Sequence, residues 1–112
     1  MPITRRQFEL GIDDSMAEIM LKIHSYLAEH HDQAFTANEI FEGLSPELVR
    51  SLQGHLQAES IRIDLPPLLA VYVARGLFDD ALEKLCQLGA VASRQIGSKK
   101  YYAHAGDLPP LR

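Results

Sequence analysis

Cysteine is almost absent from this chain: Cys86 is the one thiol in 112 residues. That excludes an intrachain disulfide and any cysteine-rich zinc site. Set on an apolar helical stripe, Cys86 reads as a packed small hydrophobe. Long hydrophobic runs are missing too. The longest, Leu65–Ala74, carries two prolines and a tyrosine and is far too short to span a bilayer. The N-terminus, M-P-I-T-R-R-Q-F-E, has no apolar stretch of the kind a secretory signal needs. A cytoplasmic protein with no membrane partner is therefore expected. A basic balance is lacking as well, since the net charge is −4. Backbone-gripping DNA binders usually carry a basic footprint, so any nucleic-acid role must rest on local clusters. Finally, the chain has no G-x-S-x-G, no P-loop, no H-E-x-x-H and no Cys–His arrangement suited to catalysis. No residue stands out to carry a reaction, and a non-enzyme is expected.

What is present points to one mainly helical domain over residues 1–112. The apolar fraction, 46%, is ordinary for a globular chain. The most informative stretch runs from Phe78 to His104. Leu82, Leu85 and Leu88 recur at helical spacing, and Gly89 sits where a left-handed C-cap belongs. Ala90–Gln95 alternates as a strand does. Ile96-Gly97-Ser98-Lys99 makes a hairpin loop, and Tyr101 and Tyr102 suit a second strand.

This stretch resembles the second half of a winged helix-turn-helix domain. In that family an L-x-x-L-x-x-x-G run closes the last helix of the motif and a β-hairpin wing follows. Leu82, Leu85, Gly89 and Val91, then Lys99, Lys100, Tyr101 and Tyr102, are the matching residues. The resemblance covers about a quarter of the chain. It implies a mainly α fold with a small antiparallel β-hairpin over residues 90–104, and a transcriptional regulator of the bacterial or archaeal type.

The upstream residues can be read in order. Residues 1–13 form an arm in which Phe8, Leu10 and Ile12 alternate with polar or small residues, suiting an extended segment. A helix is expected from Met16 to His30, opened by a Ser15–Glu18 capping box and striped by Met16, Ile19, Met20, Ile23, Tyr26 and Leu27. His24, Glu29, His30, His31 and Asp32 suggest a metal, but no two histidines stand at i, i+4, so no metal or other cofactor is expected. Ala34-Phe35-Thr36 resembles the short strand that pairs with the wing. Thr36 and Glu39 form a second capping box before a short helix through Ile40, Phe41 and Leu44. Residues 45–64 then depart from the family as an insertion. Ser45-Pro46-Glu47 reads as the start of a separate helix over 46–57, and Ser60–Leu65 as a short strand or extended linker. Leu68–Arg75 is helical with prolines in its first turn, apolar almost all round, and Gly76 interrupts or kinks it.

Two functions from different classes follow. The resemblance implies that Arg75, Gly76, Asp79, Asp80 and Glu83 lie near DNA bases, where Arg75 alone has a bidentate guanine option. The carboxylates of this row also read as complements to a helix dipole. Arg94, Ser98, Lys99 and Lys100 form a polar cluster on the hairpin that would touch phosphates, and Arg5 and Arg6 give the arm two cations. The first reading is thus a small regulator of double-stranded DNA. The second is a winged-helix protein–protein interaction module, favoured by the acidic helix and the apolar Leu65–Val73 run. Surplus apolar residues in the first helix and in that run also lead us to expect a homodimer.

Overall fold

The computed structural model describes residues 2–58 and 67–111, with side chains over 2–50 and 68–111. Among the described residues, four helices and three strands follow in order: α1 (Arg5–Leu10), α2 (Asp14–Glu29), β1 (Phe35–Thr36), α3 (Ala37–Ala58), α4 (Pro67–Gln87), β2 (Val91–Ile96) and β3 (Lys99–His104). The protein is mainly helical, with a small antiparallel sheet in the order β1-β3-β2.

Helices α2, α3 and α4 meet in one apolar core. Ile19, Met20, Ile23 and Leu27 of α2 face Ile40, Phe41, Leu44 and Leu48 of α3 and Ala74, Phe78, Ala81, Leu82 and Leu85 of α4. Each set recurs every three or four residues, so each helix turns one apolar stripe inward. Phe41 and Phe78 meet edge to face with ring centroids 5.3 Å apart, a favoured aromatic geometry. The hairpin closes the core through Val91 and is joined to α4 at Gly89. Gly89 holds φ at +80°, a left-handed conformation that a Cβ disfavours. The two-residue Gly97-Ser98 connection brings Ile96 opposite Lys99, and the register runs on to Val91 opposite His104. β1 adds a short third strand, with Phe35 opposite Tyr102 and Thr36 opposite Tyr101.

The N-terminal arm is not extended. Residues Arg5–Leu10 form a helix whose N-cap is Thr4, with Thr4 and Gln7 satisfying one another's backbone amides. The signal was a T-x-x-Q capping box closed by Gly11, which the alternation of Phe8, Leu10 and Ile12 obscured. Gln7 is buried and donates from Nε2 to Asp14 Oδ1 at 2.6 Å, stitching α1 to α2.

The N-cap of α2 is Asp13, not Ser15: its carboxylate accepts from the Met16 amide at 2.8 Å. A carboxylate caps well and also favours the positive end of the helix dipole. The separate helix at 46–57 is also corrected. α3 is continuous through Pro46. Glu42, Pro46 and Glu47 are exposed while Leu44 and Leu48 are buried. The carbonyl that Pro46 leaves without an amide partner therefore lies on the wet side, and the buried stripe carries the helix past it. Likewise α4 runs unbroken through Gly76. The strand or linker expected at Ser60–Leu65 lies outside the described residues.

After β3 the chain turns back. The amides of Ala105 and Gly106 donate to Ala90 O, and His24 Nε2 donates to Gly106 O at 2.8 Å. Leu111 is buried against the core. Among the described residues, no helix is long and apolar enough to cross a membrane.

Candidate nucleic-acid interface

The start of α3 is set by reciprocal hydrogen bonds. The Thr36 amide donates to Glu39 Oε1 at 2.9 Å, and the Glu39 amide donates to Thr36 Oγ1 at 3.3 Å. This is the expected second capping box, and the same Thr36 is held in register by Tyr101 of β3. The bonds from Thr36, aided by the nearby Lys99 charge, hold the Glu39 carboxyl below its ordinary pKa. Capping and sheet pairing thus bring the N-terminal turn of α3 alongside the hairpin.

Between them lies an open groove of about 620 Å³. Its lining includes Thr36, Asn38 and Glu39 around the start of α3, Lys99, Lys100 and Tyr101 of β3, and Arg75 of α4. Three cations therefore face one carboxylate in a chain that is acidic overall. Strand alternation sends Lys99 and Lys100 to opposite faces of β3. Lys100 also borders a second depression of about 410 Å³ with Asp79, Glu83 and Cys86 of α4. Its Nζ lies 5.6 Å from the Tyr102 ring centroid.

Arg75 is tightly held. Its Nε donates to Asp79 Oδ1 at 2.9 Å, and its Nη1 donates to Asn38 Oδ1 at 2.7 Å. The guanidinium carbon lies 5.2 Å from the Phe41 centroid and 5.7 Å from that of Phe78. Each edge of the fork already has a nitrogen engaged, so the bidentate pairing with guanine expected from sequence has no free edge in this arrangement. Arg75 instead ties α3 to α4 and contributes its charge to the groove.

The other expected contacts divide into two groups. Arg94 and Ser98 are exposed on the hairpin, near the groove but not in its lining. Arg5 and Arg6 lie on α1, where Arg5 pairs with Glu9 at 3.3 Å and Arg6 Nε donates to Pro110 O at 3.2 Å. Neither lines the groove. Six groove residues were not among the expected contacts: Ala34, Thr36, Ala37, Asn38, Glu39 and Tyr101. Asn38 was detectable in principle, since the T-x-x-E box fixes its place in the first turn of α3.

Burial raises the Cys86 thiol above its ordinary pKa, which suits a packed side chain better than a nucleophile. Among the described residues, no three His, Cys, Asp or Glu side chains converge as metal ligands would. Compared with protein-family models, curated proteins and solved structures, the chain matches none.

Proposed function

We propose that the protein is a winged helix-turn-helix regulator that docks on duplex DNA through the groove between the α3 N-terminus and the hairpin. The observation that carries this reading is that Arg75, Lys99 and Lys100 border one open groove with the first turn of a long helix. A helix N-terminus favours anions through its dipole and free amides, and two flexible lysines beside it are suited to phosphate oxygens. The element order and the β1-β3-β2 sheet agree with the winged-helix resemblance. Such a role belongs in the cytoplasm, where DNA is reached.

On this reading Lys99, Lys100, Arg94 and Ser98 contact phosphates, and the contacts position the protein without reading sequence. The exposed Asp79, Asp80 and Glu83 keep α4 from lying against a phosphate row. Replacing both Lys99 and Lys100 by alanine tests the assignment. Mobility-shift binding to a random duplex at low salt should fall at least about tenfold, because each lost phosphate contact releases one fewer counterion. Unchanged binding with an intact circular-dichroism spectrum would remove the groove from the interface.

A second reading, a protein-interaction module, draws on the acidic row of α4 together with the exposed apolar side chains at its start. It leads one to expect no duplex binding even at low salt.

A further inference from the structure

The first two turns of α4 expose apolar side chains that the helix could have turned inward. Leu68 is 85% exposed, Tyr72 77%, Leu69 46% and Val71 40%. Leu68, Tyr72 and Gly76 stand four apart, so they form one ridge along the helix surface. Gly76 is exposed on that ridge, and a Cβ built there meets nothing within 4 Å. A mid-helix glycine costs about 1 kcal/mol relative to alanine, yet among the described residues no neighbour requires one.

We infer that this face is where a second copy of the chain packs, with the two α4 helices antiparallel and crossing at Tyr72. The inference is independent of the DNA reading. Its basis is that the ridge is complementary to itself. A two-fold axis through Tyr72 places each residue opposite the one equally far on the other side. Leu68, the most protruding side chain, then meets Gly76 of the other copy, where the backbone leaves room.

Charge follows the same symmetry. The first turn of α4 contains no acidic residue, although its amides are the positive end of the dipole. Asp79 lies seven residues past the axis and Pro67 five before it. At about 1.5 Å per residue, Asp79 of one copy falls about 3 Å beyond the start of the other copy's helix. Side chains lean toward a helix's own N-terminus, so the Asp80 carboxylate leans back over that start, as does that of Asp79 while paired with Arg75 of its own chain. The two acidic rows, at opposite ends of the contact, stay about 21 Å apart.

The exposed apolar patch comprises four side chains, Leu68, Leu69, Val71 and Tyr72, against the roughly 20–30 residues a side of a typical stable interface. The dimer should therefore be weak and reversible, with dissociation in the range of about 10 µM to 1 mM.

Sedimentation equilibrium of the full chain across that range tests this, with two variants and circular dichroism as a check on folding. Tyr72→Glu should raise the dissociation constant at least about tenfold by placing charge on the axis. Gly76→Leu is the sharper variant, because it adds apolar surface while filling the space Leu68 needs. It should weaken the dimer severalfold, whereas adhesion between unspecific sticky patches would strengthen. A chain still monomeric at the top of the range, a dimer tightened by Gly76→Leu, or one indifferent to Tyr72→Glu overturns the inference.

Discussion

Replacing Pro46 by alanine should make the protein more stable, and the size of the gain follows from where Pro46 lies. The proline stands well inside α3, with residues Ala37–Glu42 forming helix before it and Leu48 buried after it. Proline in a helix interior is about 3 kcal/mol less favourable than alanine. It recovers up to ~1 kcal/mol by restricting the unfolded chain. The net gain from Pro46→Ala is therefore about 2 kcal/mol. At this chain length each kcal/mol shifts the midpoint by roughly 4 °C, so thermal unfolding should move up by about 8 °C. Pro46 is exposed, so the substitution opens no buried cavity. Thermal and urea unfolding followed by circular dichroism measure the change. Had Pro46 opened a separate helix, as the Ser45-Pro46-Glu47 sequence suggests, proline would occupy its favoured first-turn position. Alanine would then bring no gain or a loss, and that result would refute the continuous α3.

Three further outcomes follow from particular residues. Gly89→Ala should cost about 1–2 kcal/mol, the penalty of a left-handed conformation for a residue with a Cβ; because a Cβ there meets nothing within 4 Å, an unchanged urea midpoint would contradict the backbone explanation. The Glu39 carboxyl is held below its ordinary pKa by Thr36 and Lys99. A depressed folded-state pKa gives stability that is present above the unfolded value and lost as pH falls through the folded one. The stability advantage over Glu39→Gln should thus hold at neutral pH and shrink in acid, and an advantage independent of pH would count against the capping geometry. Cys86, with its thiol pKa raised by burial, should react with iodoacetamide at neutral pH at least severalfold more slowly than in the urea-unfolded chain; equal rates would show that α4 does not shield it.

Local chemistry made part of this fold legible and long-range contacts hid the rest. Thr36, Glu39 and Gly89 each act within a few residues of their own position, and their roles could be read directly. So could the stripe Ile19-Met20-Ile23-Leu27, because its spacing is a property of one helix. Pro46 misled because a strong local start signal was outweighed by Leu44 and Leu48, whose burial depends on α2 and α4. The arm misled for a different reason: Phe8, Leu10 and Ile12 alternate by accident, while Thr4 and Gln7 carried the true signal. In the candidate site, Lys99 and Lys100 were visible as a hairpin cluster. The partners that immobilise Arg75, Asp79 one turn away and Asn38 on another helix, emerge only when α3 and α4 are packed together.

The proposed role requires that the groove between α3 and the hairpin bind the phosphates of duplex DNA. Fluorescence anisotropy of a labelled random-sequence duplex, titrated with the protein from about 20 to 200 mM salt, tests this. With the charges of Lys99, Lys100 and Arg94 on phosphates, about three counterions should be released, giving a slope of log affinity against log salt near −3. No measurable binding at the lowest salt, or an affinity that does not change with salt, would contradict that role.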